Sequence, residues 1–408
     1  MKRFLFFLIA YCLLPTAYCF SQGTWTQKTD FDGNARSGAV AFSIGTKGYI
    51  GTGQFTGYYK DFWQYDQATN LWTQMADFLG IARSGAVGFS IGDKGYIGTG
   101  GDANNYQYDF WEWNQSTNAW TKKRDFPGTA RGGAVAFSIG TKGYIGTGFD
   151  GGIWHQDFWE YDPTTDTWTP QVVFPGDTRQ GAVGFSIGTN GYIGLGTNGT
   201  GYLKDFWEWN SAGKVWLKKT NFNGTARALA ASFSIGTKGY VGTGTDAIGD
   251  TNDFWEWDQL NNTWSQKANF GGTARNMSFG LSIGSKGYFG TGYDNITPQI
   301  KDFWEYDPNG NGISETELEN SISVYPNPTG GKANLSISKL EDWKIKEIEV
   351  YNINGEKIYT AANFQINSSS NFQIDLSSQP DGIYFLRITT DHSTGSGQNI
   401  TKKILLNR

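Results

Sequence analysis

Six arginines and six aspartates recur at fixed intervals, and these twelve residues have the clearest capacity for chemistry. The arginines stand at Arg36, Arg83, Arg131, Arg179, Arg227 and Arg275, 47 or 48 residues apart. An Asp-Phe-Trp triplet follows each, beginning at Asp61, Asp109, Asp157, Asp205, Asp253 and Asp302. Such a series supports two chemistries. Each guanidinium can pair with the carboxylate of its own copy, as Arg36 with Asp61, because the planar fork matches a carboxylate through two hydrogen bonds. Alternatively, six arginines around one opening form an anion-binding mouth suited to acidic sugars or phosphate. Sixfold repetition favours the internal pair, since a specific site normally breaks symmetry.

Catalytic material is scarce. His155 and His392 are the only histidines, too few for a histidine-based metal site or a Ser-His-Asp arrangement within the repeats. Glu112, Glu160 and Glu208 are repeat positions, and Asp102, Asp150, Asp246, Asp250 and Asp294 fall in variable stretches without marking a pair of acid and base. Asp307, Asn309, Asn311, Gly312 and Glu315 imitate the start of a calcium loop, but its twelfth position is Leu318 instead of Glu. No catalytic residue, metal or cofactor is expected from this pattern.

Aromatic residues are the other resource. Three tryptophan series follow the repeat, and before residue 310 only Trp154 is left over, so most tryptophans read as packing. The variable stretches hold Phe55, Tyr58, Tyr59, Tyr106, Tyr108, Trp154, His155, Tyr202 and Tyr293 among Gly, Asn and Asp. Aromatics in such company either stack on sugar rings or a partner protein, or simply cap the ends of the repeats. Trp154 with His155 is the least repeat-like pair and the first expectation for ligand contact.

The elements that must position these residues follow from one unit, clearest from Ala130 to Gly176. Val135, Phe137 and Ile139 alternate with Ala134, Ala136 and Ser138, which gives a strand with one bulky and one small face. A Gly-Thr-Lys-Gly turn leads to a second strand at Tyr144–Gly148, Asp157–Asp162 makes a third, and Thr167–Thr169 begins a fourth. A four-stranded sheet of this length cannot bury both faces alone, so the copies must stack. With 56 glycines, 16% aromatic residues and little helical periodicity, the chain reads as all-β.

Period, glycine placement and the Trp/Tyr-Asp ending of the third strand resemble kelch repeats over residues 22–309. That resemblance implies a six-bladed β-propeller, with Gly-Thr-Gly, or Gly194-Leu195-Gly196 in the fourth copy, where the family carries a diglycine. The sixth copy lacks its fourth strand, and Thr24–Gln27 at the N-terminus is the piece that would close the ring and remove its free edges. In an up-and-down blade, the arginines and the variable loops share one face, at the channel mouth. Lys47, Lys94, Lys142, Lys238 and Lys286 fall on the other, with Asn190 breaking that series.

The remaining segments concern address. Residues 1–21 combine Lys2 and Arg3 with an apolar stretch too short to span a bilayer, the pattern of a cleaved signal peptide. Both cysteines, Cys12 and Cys19, lie in it, so the mature chain has no thiol. Residues 310–322 read as a linker. Residues 323–408 hold Ser323-Val-Tyr-Pro-Asn-Pro-Thr-Gly-Gly331, Glu349–Tyr359 with an Asn354-Gly355 turn, Gly382-Ile-Tyr-Phe-Leu386 and Lys402–Leu406. These motifs resemble the type A sorting domain of the type IX secretion system of Bacteroidetes-type bacteria, which implies a small β-sandwich, contact with the secretion machinery, and delivery to the outer surface or medium. A net charge of -5 without basic runs argues against nucleic acid. The expected function is a non-catalytic module binding glycans or protein partners. The alternative is a carbohydrate-active enzyme, since kelch-type sialic acid epimerases are of similar size.

Overall fold

A computed structural model describes residues 23–294, 300–310, 322–338, 343–365, 369–392 and 398–407. The leader at 1–21, most of the 310–322 linker and the calcium-loop-like stretch beyond Gly310 lie outside the described residues. Among those described, no helix is long and apolar enough to cross a membrane.

Six four-stranded antiparallel sheets follow one another, and we number them as blades 1 to 6. Their inner strands are Val40–Ile44, Val87–Ile91, Val135–Ile139, Val183–Ile187, Ala231–Ile235 and Phe279–Ile283. Every inner strand is bulky on one side and small on the other, and the bulky side enters the blade interface. In blade 3, Val135, Phe137 and Ile139 are buried with Ile193 and Trp209 of blade 4. Blade 1 closes on blade 6 in the same way, Ile50 and Tyr65 meeting Phe279 and Leu281.

The glycine of the second strand makes this stacking possible. A Cβ at Gly191 would stand 2.2 Å from the Phe137 ring of the preceding blade, and one at Gly143 would stand 2.3 Å from Phe89. The phenylalanine of one blade therefore lies flat on the backbone of the next. Indole groups fasten the outer strands: Trp120 Nε1 donates to the Ala76 carbonyl at 3.0 Å and Trp216 Nε1 to the Val172 carbonyl at 3.0 Å, each one blade back.

Thr24–Gln27 supplies the missing strand of blade 6. It pairs antiparallel with Phe303–Asp307, Trp25 opposite Tyr306. Trp25 is buried against Phe254, Phe270 and Phe289, so the first described residues of the chain sit between blades 5 and 6. The ring is closed by hydrogen bonds that join the two ends of the repeat region.

The C-terminal residues form two further sheets. One joins Ile322–Tyr325, Lys332–Ser338 and Ser369–Asp375; the other orders Lys357–Gln365, Trp343–Asn352, Gly382–His392 and Gln398–Leu406. Leu335, Val350, Leu386 and Ile404 lie in the core between them. Gly355 has φ +79°, so the Asn354-Gly355 hairpin uses the left-handed conformation that glycine tolerates.

Candidate functional site

The arginine series is decided by its hydrogen bonds. Arg179 Nη1 and Nη2 reach Asp205 Oδ1 and Oδ2 at 2.6 and 2.7 Å, and Arg36 holds Asp61 at 2.7 and 2.6 Å. Arg83 with Asp109, Arg131 with Asp157, Arg227 with Asp253 and Arg275 with Asp302 repeat the grip. Each guanidinium also donates through Nε to the carbonyl two residues earlier and through Nη1 to the carbonyl that closes the second strand, Thr52 in blade 1 and Leu195 in blade 4. A phenylalanine ring covers each one, Phe31 at 4.8 Å and Phe174 at 4.8 Å. All six arginines are at most 1% exposed. Their charge is spent inside the blades on the paired aspartates, which withdraws the cations that an anion-binding mouth would need.

Burial pushes the carboxyls of Asp109, Asp205 and Asp253 toward the neutral form, and the facing arginines outweigh it, so all three are held below the usual carboxylate range.

Strain accompanies this arrangement. Thr52, Thr99, Thr147, Leu195, Thr243 and Thr291 all have φ between +53° and +61° and are fully buried. Side chains are tolerated there because each carbonyl is clamped by an arginine, and the following glycine donates to the arginine carbonyl of the next blade, as Gly100 to Arg131 at 2.7 Å. This is the position where kelch repeats would carry a diglycine.

The mouth itself is a ring of backbone. The N–H of Gly85 donates to Gly38, Gly133 to Gly85, Gly181 to Gly133, Leu229 to Gly181, Met277 to Leu229 and Gly38 to Met277, at 2.8–3.0 Å. Six residues thus close a circle of hydrogen bonds, one from each blade. Above it opens a cavity of about 430 Å³, lined by ring residues together with Tyr58, Ser84, Asp102, Tyr106 and Gln180. Beneath it runs a narrower cavity of about 190 Å³ between the small faces of the inner strands, Ala39–Ala41 in blade 1 and Ala182–Gly184 in blade 4 among them. The two share Ala39, Ala86, Ala134, Ala182, Ala230 and Ser278, so the mouth leads into the channel.

The loop aromatics divide by register. Tyr58, Tyr106, Trp154 and Tyr202 occupy one equivalent position, each bridging the residue that itself bridges the ring segment, as Trp154 to Phe149 and Phe149 to Gly132. Trp154 is therefore a repeat residue after all, which corrects its reading as the odd tryptophan. Its ring tilts against Phe149 at 4.6 Å, and a Cβ at Gly199 of the next loop would fall 2.4 Å from it. Tyr106 leans in the same direction over Gly132 and Gly151. Tyr58 and Tyr106 line the cavity; Trp154 and His155 are half-buried outside it.

His155 Nε2 lies 3.0 Å from Asp150 Oδ2. The N–H groups of Gly152 and Ile153, with His155 beside them, hold the Asp150 carboxyl down to about 2. Asp102, Asn198 and Asp246 turn their own loops the same way, so these loop-tip Asp and Asn side chains are turn formers. Tyr59 covers the Arg36 guanidinium at 4.5 Å, Tyr202 is half-buried, and Tyr108 and Tyr293 are exposed. On the opposite face Lys47 pairs with Asp66 at 2.5 Å and Lys142 with Asp162 at 2.5 Å.

Sequence reasoning passed over Leu229, Met277 and Gln180, which line the mouth. The signal was present in the register, because the Gly of Arg-Ser-Gly-Ala becomes Leu229 in Arg-Ala-Leu-Ala and Met277 in Arg-Asn-Met-Ser.

Comparison with known proteins agrees with this architecture. A solved structure described as that of YjhT matches with a TM-score of 0.60 at 17% identity, over 68% of this chain and 95% of that one. At such identity the likeness concerns the fold, a kelch-type propeller. No curated protein matches the sequence. Residues 323–407 match the family described as the secretion system C-terminal sorting domain. The chain thus joins a six-bladed β-propeller to a C-terminal domain of the type IX sorting family, an attachment that directs it to the cell surface or beyond and brings it into contact with the secretion machinery.

Proposed function

We propose that residues 22–309 are a non-catalytic binding module that takes a glycan or a protein partner on the variable-loop face, and that 323–408 serve only its export after the leader at 1–21 is removed. The observation that carries this reading is the cavity of about 430 Å³ at the channel mouth, with Tyr58 and Tyr106 in its wall. Its size falls within the ~300–1,000 Å³ typical of small-ligand sites. Tyr108, Tyr293 and Phe55 add exposed aromatic surface on the same loops, where a larger partner would dock.

The enzyme reading draws less support. Glu112, Glu160 and Glu208 accept from Tyr96, Tyr144 and Tyr192 at 2.8–2.9 Å, and none lines the cavity. Among the described residues no arginine or lysine lines it either, and an acidic sugar would want one.

The test is a glycan array and surface-polysaccharide capture with the full chain, beside Tyr58→Ala/Tyr106→Ala and Trp154→Ala/His155→Ala variants. Loss of capture in the tyrosine variant places the ligand in the mouth. Loss only in the other returns the site to the loop pair, and no capture by folded wild-type protein rules against the glycan arm.

A further inference from the structure

The backbone ring at the mouth is sixfold in its hydrogen bonds but not in its residues. Gly38, Gly85, Gly133 and Gly181 have φ +61° to +63°, the left-handed region in which glycine carries no steric penalty. Leu229 and Met277 hold the same conformation at φ +59° and +54°. A residue with a Cβ loses about 1–2 kcal/mol there. Four blades show that ring closure needs no side chain, and the hydrogen bonds of Leu229 and Met277, at 2.8 and 2.9 Å, match the others. The strain therefore gains nothing for the ring.

What the two side chains do is enter the mouth. Leu229 Cδ2 lies 2.8 Å from where a Gly181 Cβ would stand, and Met277 Cε lies 3.8 Å from the corresponding point on Gly38. Both are half-buried and both line the cavity. Neither belongs to the apolar clusters between blades 4, 5 and 6 or between blades 6 and 1. Strained residues that contribute to a ligand surface rather than to the core are a recurrent feature of binding sites.

Two polar residues of the lining come from other blades. Gln180, in blade 4, has no hydrogen-bond partner for its side-chain amide among the described residues, and its side chain lies beside Gly133 of the neighbouring blade. Asp102, from the loop of blade 2, uses Oδ1 for the N–H groups of Asn104 and Asn105 and keeps Oδ2 clear. Those N–H bonds hold its carboxyl below the usual range, so it stays ionised and accepting. Among the described residues it is the only charged one in the lining.

We propose that Leu229 and Met277 form an apolar shelf for one face of a neutral pyranose in the channel mouth, with the Gln180 amide and the Asp102 carboxylate taking its hydroxyls. A pyranose has one such apolar face and a rim of donors, and a site whose single charge is negative rejects acidic sugars. This inference rests on the reading that the variable-loop face binds a ligand, and it names the class and the contacts.

The experiment uses the full chain with methyl glycosides of glucose, galactose, mannose and N-acetylglucosamine, with N-acetylneuraminic acid as the acidic comparator. Saturation-transfer NMR and titration calorimetry read binding, and thermal unfolding is followed in parallel. In the Leu229→Gly/Met277→Gly variant, affinity for the bound neutral glycoside should fall at least about tenfold, while the unfolding midpoint stays level or rises because the strain is gone. Leu229→Met should retain binding, and N-acetylneuraminic acid should not bind. If the double variant binds within about twofold of wild type, or N-acetylneuraminic acid is the sugar bound, the proposal is overturned while the face remains a binding face. If the wild type binds no glycoside yet is retained by polysaccharide on an array, the shelf is again wrong and the face reading stands. If nothing is bound in either format, the glycan reading fails with it.

Discussion

Asp205 grips Arg179 through both carboxylate oxygens at 2.6 and 2.7 Å, in a setting where the arginine side chain is fully buried. The same Asp205 Oδ2 accepts from Trp207 Nε1 at 2.8 Å, and the arginine closes the turn of the second strand through the Leu195 carbonyl. One pair thereby ties an inter-blade connection, a strand end and the start of the next strand. Removing one partner of such a buried pair typically costs about 3–5 kcal/mol, since the other charge is stranded. Asp205→Asn and Arg179→Met should each lower the denaturant midpoint sharply, and a double-mutant cycle should show strong coupling. The variable-loop cavity, which neither residue lines, should change only as stability does.

The sign of the acid response follows from the same pairs. Asp109, Asp205 and Asp253 are held below the unfolded carboxylate value, so their contribution is present above about pH 4 and disappears as pH falls through their lowered folded values. Acid unfolding followed by tryptophan fluorescence should shift to higher pH in Asp205→Asn, because one stabilising ionisation is missing.

Alkali acts through the tyrosines between blades. Burial raises the hydroxyls of Tyr96, Tyr144, Tyr192, Tyr240 and Tyr288, and the glutamates they bond raise them further. In the unfolded chain tyrosine ionises near pH ~10, so stability is intact below that value and is lost as pH climbs toward the elevated folded ones. Tyrosinate absorbance of this interior set should therefore rise only together with loss of near-UV dichroism.

Gly191 lies beneath Phe137 of the preceding blade, with 2.2 Å available to a new Cβ. Overpacking a tight core contact costs about 1–3 kcal/mol, and Gly191→Ala should lose at least that. Gly188→Ala provides the contrast: no atom stands within 4 Å of its Cβ, and its φ of +57° alone is disturbed, so the loss should be smaller. Chemical denaturation of the two variants side by side measures the difference.

Ring closure depends on Trp25, buried among Phe254, Phe270 and Phe289 and paired opposite Tyr306. Trp25→Ala should cost about 3–5 kcal/mol. Proteolysis of that variant should begin at blade 6, whose outer edge is then exposed, and limited digestion with mass mapping would locate the first cut.

The sequence by itself determined what is periodic. Alternation of Val135, Phe137 and Ile139 with small residues specifies an inner strand, and the order of markers around Trp25 specifies closure, because local side-chain period and strand count need no knowledge of distant contacts. The sorting domain was legible for a related reason: its motifs lie in fixed order along the chain. The tertiary structure alone decided where the repeated side chains point. Arg179 turns inward because Asp205, Phe174 and a strained carbonyl at Leu195 converge on it from three separate segments. Trp154 joins the series of Tyr58, Tyr106 and Tyr202 only when the bridges across the loops align them, since the loops differ in length and text. Leu229 and Met277 reach the mouth because six blades bring one backbone position of each into a single ring, a relationship made by closure and invisible in any one copy.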